Sequence, residues 1–597
     1  MRAERKAETV TLTRPKPERV LRGLAVSGGI ICGPAHVIES GFHQVPEYLV
    51  IPSEVDAERH RFADAVGKSL KQLRKLKAKT AALPESAAEE INFLLDAHCA
   101  ILSGSRLIRG VERRIAEDRY NAEFAVQTEL AAIAKQFASM DDAYLASRIE
   151  DIKEVGARLI RNLTDRKYQA FSTLREGSII IAEEISPADT ALMDPKRVSG
   201  FATTLGGAEG HTAIMARSLG IPAVLGVAGL MHGIQTGEMV IVDGTTGRVT
   251  INPSDATMTD YERRRAAQEA DREQLKSLIK LPARTRDLVD ISLQANLELP
   301  REIEPAMSVG AEGVGLLRTE FMFMNREDLP GEEDQYQVLR QIVEGMEGRT
   351  VTLRTIDIGG EKLSSSFKGH IAESTNPALG LRAIRLSLRE PRLLEVQLAA
   401  MLRAGVHGPT RILLPMITSV SEIRQVRAAM ERVARRLKRR KVRAANPLPP
   451  LGVMIEVPGA ALAADALAQA ADFFAIGTND LIMYTLAIDR GDEQVANLFD
   501  PLHPSVVRLI QFTAEAALRA RIPVSVCGEI AGDPRFTALL IGLGIRELSM
   551  APSKLLAVKR RIRTLDTIAA THRARMMVDQ SDPGRIAALL DDFNDVG

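Results

Sequence analysis

From Asp290 to Pro552 the chain carries eight short apolar runs, most of them separated from the next by a helical stretch. They read DISLQANL (290–297), GVGLLRTE (313–320), TVTLRT (350–355), RILLPMI (411–417), GVMIEV (452–457), FFAIGTND (473–480), VSVCGE (524–529) and RELSMAP (546–552). Continuously apolar strands that alternate with helices must be buried on both faces, which calls for a parallel sheet covered by helices. Eight such units are the number that closes the sheet on itself, so 286–575 is expected to be a (β/α)8 barrel.

The 597 residues exceed what one hydrophobic core serves, and the pattern changes upstream of the barrel. Residues 1–20 are charged and proline-containing, and a disordered tail is expected there. Leu21–Ser40 and the segments SIIIAEEI (178–185), GFATTLGG (200–207), PAVLGV (222–227), EMVIVDG (238–244) and GRVTIN (247–252) read as strands punctuated by glycine. Between them, from about Glu54 to Leu163, four stretches follow a helical period. The simplest arrangement is one β/α domain, 21–53 and 166–255, into which a helical bundle, 54–165, is inserted. The densely charged 256–285 reads as a solvated linker helix, and 576–597 as a C-terminal helix. The fold class is therefore multidomain α/β.

Charge and cysteine usage narrow the function. With 78 basic and 77 acidic side chains the chain is nearly neutral, so it has no overall attraction for nucleic acid or an anionic membrane. Any anion it handles must be held by a local cluster. Cys32, Cys99 and Cys527 make neither a disulfide framework nor a CxxC zinc pair, which fits a reducing cytoplasm. No apolar leader region or membrane-length apolar stretch is present in the sequence, so neither export nor anchoring is expected.

In such a barrel the chemistry sits at the C-terminal ends of the strands. There the sequence places Arg318, Arg354, Glu456, Asn479, Asp480 and Cys527. Singly, each could be a solvated loop residue; converging on one mouth they make a site. Arg318, Arg354 and Arg490 offer planar forks for a small dianionic or trianionic substrate. Glu456 and Asp480 suit Mg2+, which completes its shell with water and substrate oxygens. Cys527 is either a buried inert thiol or a proton donor.

A second constellation, GGAEGHTAIMARSLGIPAVLG (206–226), sets His211 between a glycine-rich turn and a helix start, where backbone N–H groups and the helix dipole would favour a phosphoryl group. The alternative is an ordinary structural histidine. The glycines do not make a dinucleotide fingerprint, and the single GKS (67–69) has Phe62 where a P-loop needs glycine. ATP is not indicated as the donor.

The motifs GGAEGHTAIMAR, GAEGVGLLRTEFMFM, LRTIDIGGEK, NPALGLRAIR, GVMIEVP, DFFAIGTNDL, YTLAIDRG and VCGEIAGD, in this order, resemble those of the enzyme I family of bacterial phosphotransferase systems. The resemblance runs from about Leu21 to the C-terminus. It implies a phosphohistidine domain with an inserted carrier-binding helical subdomain, followed by a phosphoenolpyruvate-binding barrel that pairs with a second copy. It further implies that His211 is phosphorylated, that Arg318, Arg354, Asn479 and Arg490 bind phosphoenolpyruvate, that Glu456 and Asp480 hold Mg2+, and that Cys527 protonates the enolate to give pyruvate. Thr190 matches a residue near the active histidine. His98 and Arg148 fall in the matching carrier-docking segments, with ordinary surface positions of a bundle as the alternative. The implied partner is HPr or its nitrogen-system relative.

Three departures stand out: Glu209-Gly210 where the family usually has Thr-Ser, Met483 where glutamine is common, and VSGG (26–29) in place of a serine-proline turn. Glu209 would set a like charge beside a phosphoryl site. A pyruvate phosphate dikinase or phosphoenolpyruvate synthase would need an ATP-binding domain that finds no room here, and a non-catalytic relay protein would not need the full set of barrel residues. Only about twenty residues precede Leu21, which favours a sugar-type over a nitrogen-type system. A phosphohistidine that serves both a barrel and a protein carrier also implies at least two domain orientations.

Overall fold

A computed structural model describes residues 16–38, 45–80, 95–137, 143–164, 174–185, 193, 197–206, 212–213, 216, 220–323, 328–359, 376, 378–489, 495 and 498–595. The chain divides into two compact units, Met1–Glu269 and Ala270–Gly597.

In the first unit eight strands form one sheet in the order β1-β8-β7-β3-β4-β5-β6-β2. They are β1 (Arg19–Arg22), β2 (Leu24–Ser27), β3 (Ile30–Ile38), β4 (Ser178–Ala182), β5 (Val198–Thr203), β6 (Ala223–Leu225), β7 (Met239–Asp243) and β8 (Arg248–Ile251). The nine-residue β3 serves two neighbours in turn: Ile30–Pro34 pair antiparallel with β7, and Ala35–Ile38 pair parallel with β4. A parallel β3–β4 pair needs a long crossover, and the helical insertion is that crossover. Its core gathers Phe62, Leu73, Leu107, Val111, Ile115, Val126 and Leu159 from helices that include Val55–Thr80, Ala122–Phe137 and Ala143–Leu163.

Two expectations shift. The expected tail gives way earlier than residue 21: β1 begins at Arg19, and Glu18 accepts from Ser254 N at 2.6 Å and Thr257 Oγ1 at 2.7 Å. Residues 1–15 lie outside the described residues. The second of the four helical stretches, which the sequence pattern runs unbroken across 89–118, is interrupted at Ser103–Ser105, where serine and glycine end one helix before Arg106–Arg113 begins.

The charged segment is one helix, Asp255–Ser277, of which Tyr261 alone is buried, against Ile30 and Ile241. The second unit is a closed barrel of eight strands, every neighbour parallel: β9 (Ser292–Leu297), β10 (Gly313–Leu317), β11 (Thr350–Arg354), β12 (Thr410–Leu414), β13 (Leu451–Ile455), β14 (Phe474–Ile476), β15 (Val524–Val526) and β16 (Glu547–Met550). All eight apolar runs became barrel strands. Strand residues pointing inward pack Leu316, Leu413, Met454 and Ala475 with Phe473 and Cys527, while the outward residues meet the helices. Helices Thr567–Val578 and Pro583–Asp595 complete the unit. Among the described residues no helix is long and apolar enough to cross a membrane.

Candidate active site

Each strand delivers its polar residue as it leaves the barrel. Arg318 N still bonds Leu297 O at 2.9 Å, Gly477 N bonds Ile455 O and Cys527 N bonds Ile476 O, both at 3.1 Å, so the ladder extends one residue past each strand and fixes where the side chains start. Two glycines let the loops close on each other. A Cβ on Gly528 would lie 1.9 Å from Thr478 Oγ1, and one on Gly477 would lie 2.8 Å from Glu456 Oε2.

Arg354 is at the centre. Its guanidinium is paired with Glu320 at 3.0 Å and Asp357 at 3.1 Å, yet its Nε is buried with no hydrogen-bond partner among the described residues. Burial disfavours the cation, but Glu320, Asp357 and Glu456 outweigh it and hold the arginine charged. Its backbone is set by a buried network. Gln397 Nε2 donates to Thr319 Oγ1 at 3.1 Å, Thr319 Oγ1 donates to Arg354 O at 2.9 Å, and Ile356 N donates to Gln397 Oε1 at 2.9 Å.

Asp357, Glu456 and Asp480 each present a carboxylate oxygen within 4.8 Å of the others, and Asp357 and Glu456 are buried. Desolvation and the repulsion of Asp357 and Asp480 push the Glu456 carboxyl well above its ordinary range, although Met416 N donates to it at 2.6 Å. Three converging carboxylates with hard oxygen donors fit a divalent cation such as Mg2+, which would relieve that repulsion. Arg382 lies 2.9 Å from Asp357 and 3.6 Å from Asp480 and balances part of the charge.

Cys527 is 3% exposed, and burial followed by the Glu456 charge pushes its thiol up to about 12. It is therefore a neutral S–H group, suited to giving a proton rather than acting as a nucleophile. Arg318 is half-exposed and pairs with Glu298 at 2.5 Å. Asn479 is locked reciprocally: its Nδ2 donates to Glu529 Oε1 and its Oδ1 accepts from Glu529 N, both at 3.0 Å.

Six sequence candidates thus gather at one mouth: Arg318, Arg354, Glu456, Asn479, Asp480 and Cys527. Asp357, Arg382 and Glu320 were missed. Asp357 and Arg382 lie inside the LRTIDIGGEK and NPALGLRAIR motifs, which was the available signal, but neither directly follows a strand. Arg490, His211, Thr190 and Glu209-Gly210 lie outside the described residues. Their surroundings are described in part: Thr212 and Ala213 are helical after the turn at Gly206, and Thr212 Oγ1 bonds Ile185 O at 2.8 Å. His98 is buried rather than on the bundle surface, with Nε2 3.7 Å from Asp151 and 3.6 Å from Glu154. The side chain of Arg148 lies outside the described residues.

Residues 272–567 match the family model of the phosphoenolpyruvate-binding domain of PEP-utilising enzymes, 22–148 that of their N-terminal domain and 174–247 that of their mobile domain. The chain is 42% identical over 584 residues to the phosphoenolpyruvate-protein phosphotransferase of Cupriavidus necator, spanning 96% of this chain and 98% of that protein. It is 36% identical over 570 residues to the phosphoenolpyruvate-protein phosphotransferase of Bacillus subtilis, spanning 96% and 99%. A solution structure of enzyme I matches at 35% identity over 42% of this chain and 99% of that one, with a TM-score of 0.36. The chain belongs to the phosphoenolpyruvate-protein phosphotransferase family.

Proposed function

We propose that the chain takes the phosphoryl group of phosphoenolpyruvate onto His211, releases pyruvate, and passes the phosphoryl group to a histidine of a small HPr-like carrier protein. The observation that carries this is the union, at one barrel mouth, of the buried Arg354 with an unsatisfied Nε, three carboxylates and a neutral thiol.

Arg354 and Arg318 hold the phosphate of the substrate, and Asn479 and Arg490 supply further contacts. The orphaned Nε of Arg354 gains a partner when an anionic oxygen arrives, so binding removes an unsatisfied buried donor. A ring nitrogen of His211 forms the new bond to phosphorus while the bond from phosphorus to the enol oxygen breaks, its electron pair staying on that oxygen. The enolate carbon then takes the proton of the Cys527 thiol, giving pyruvate, and the thiolate regains a proton from water. Glu456 and Asp480, with Asp357 beside them, would hold Mg2+, which neutralises negative charge on substrate oxygens.

The protein is taken to act in the cytoplasm as a homodimer joined through its barrels, at the first step of a phosphotransferase system. Incubation with phosphate-labelled phosphoenolpyruvate and Mg2+ tests the reaction. Label on the protein, with pyruvate released in equal amount and both lost in His211→Ala, is the expected result; undiminished phosphoprotein in that variant would refute the histidine. Transfer to HPr and to its nitrogen-system relative, measured side by side, decides the branch.

A further inference from the structure

The helix Val420–Arg439 crosses from β12 to β13 on the outside of the barrel and runs into the sequence RRLKRRKVR (435–443). Seven of these nine residues are basic, on a chain whose net charge is +1. Three are balanced nearby: Arg435 lies 3.6 Å from Glu431, Arg436 2.7 Å from Glu395 and Arg440 2.7 Å from Glu332. The other four, Lys438, Arg439, Lys441 and Arg443, are exposed and have no carboxylate partner among the described residues.

A helix dipole favours a cation or two in the last turn, and its field decays within that turn. Lys441 and Arg443 lie beyond it. Lys441 also has φ 57°, and it closes the helix: its N–H bonds Lys438 O at 3.0 Å, and Val442 N bonds Leu437 O at 3.0 Å. That is the closure in which glycine usually takes the left-handed position. Crowded like charges and a left-handed lysine both work against the fold, and Lys441 and Arg443 lie beyond the dipole with no carboxylate partner among the described residues.

We propose that this basic end of the helix binds a short acidic segment of a partner protein. Because the helix leads into the start of β13, the surface lies at the N-terminal ends of the strands, opposite the candidate active site, and the inference does not rest on the reaction assigned there. The surroundings select the partner's chemistry. Ile423, Val426, Met430, Val433 and Leu437 are buried in the barrel, which leaves no apolar face to enter a bilayer. No aromatic residue occurs between 418 and 446, so the basic segment itself offers bases no stacking platform. Glu332, Glu333, Glu395 and Glu431 flank the cations, and Glu333 is 61% exposed. A planar anionic surface or a long phosphate backbone would be pressed against these carboxylates, whereas a short acidic segment ends before reaching them.

The test titrates the full-length protein against a fluorescein-labelled peptide of Asp and Glu residues at physiological ionic strength, with its Asn/Gln counterpart as control. In parallel it uses the fourfold variant Lys438→Glu, Arg439→Glu, Lys441→Glu, Arg443→Glu. The expected result is saturable binding of the acidic peptide alone, weakened about tenfold or more in the variant and falling steeply with added salt. Autophosphorylation from phosphoenolpyruvate should be the same in the variant as in the wild type. Replacing the same four residues by glutamine gives the same comparison if charge reversal unfolds the barrel. Equal peptide binding by native and variant proteins overturns the proposal, as does tighter binding of duplex DNA, RNA or anionic vesicles at the same salt.

Discussion

The side-chain amide of Asn296 donates to the main-chain carbonyl of Cys527 across 2.9 Å, while its own carbonyl accepts from Ser549 Oγ at 2.6 Å. Asn296 leaves β9, Cys527 follows β15, and β16 with Ser549 lies between them in the barrel. The peptide that carries the thiol is thus held from the far side of its neighbouring strand. Asn296→Ala is expected to slow pyruvate release about tenfold or more with little change in KM for phosphoenolpyruvate, because a misplaced thiol donates its proton poorly. Steady-state pyruvate release checks this; an unchanged kcat with a raised KM would place Asn296 in substrate binding instead.

Burial and a thiol pushed up to about 12 should make Cys527 the slowest of the three cysteines to alkylate in the native protein, since the reactive species is the thiolate. Mass spectrometry after timed iodoacetamide treatment at mildly alkaline pH reads this directly. Cys527→Ala should depress turnover by about 10²–10⁴-fold, the usual worth of a positioned general acid.

Arg354→Ala removes a preorganised cation from a buried site and leaves Glu320, Asp357 and Glu456 without it. The expected loss in kcat/KM corresponds to about 2–4 kcal/mol. Arg354→Lys should recover little, because an ammonium cannot span Glu320 and Asp357 with a planar fork. Wild-type kinetics in either variant would exclude the residue from the reaction.

Asp357→Asn keeps the size of the side chain and removes one of the three converging charges. The Mg2+ concentration for half-maximal activity is expected to rise about 10–100-fold, as when partners of a metal site are altered. A metal titration of activity measures it.

Asp287 joins the start of the barrel to the helix Thr567–Val578, accepting from Thr567 N at 3.1 Å and from the Thr567 hydroxyl. Partial burial works against its ionised form, but these bonds and that from Thr285 outweigh it and hold the carboxyl at about 2, below its ordinary 3.8. A depressed carboxylate stabilises the folded state above its unfolded pKa, and that stability fades as pH falls from about 4 towards about 2. Solvent screening reduces the contribution to about 1 kcal/mol. Asp287→Asn should lower Tm at neutral pH and flatten the acid dependence in this window; parallel Tm-against-pH curves would show that the contact does not contribute.

The barrel was legible because its strands are buried on both faces, so each appears as an unbroken apolar run, and because the ends of those runs are where a parallel barrel gathers its polar residues. Arg318, Arg354, Glu456, Asn479, Asp480 and Cys527 followed from that rule. Asp357 and Arg382 did not, because they lie on the loop side of β11, beyond the strand-end positions that periodicity marks. Asp357 is a chain neighbour of Arg354, but only folding brings it within reach of Arg382, Glu456 and Asp480. The sequence by itself determined the alternation of strands and helices, the insertion of a helical bundle into a β/α domain, and the residue types available to a phosphate and a divalent cation. The tertiary structure decided which charges face each other, that Arg354 keeps one buried donor without a partner among the described residues, and that the Cys527 thiol is neutral. Those properties depend on distances and solvent exclusion between segments far apart in the chain, as Asn296 and Cys527 are at 231 residues, and no local pattern encodes them.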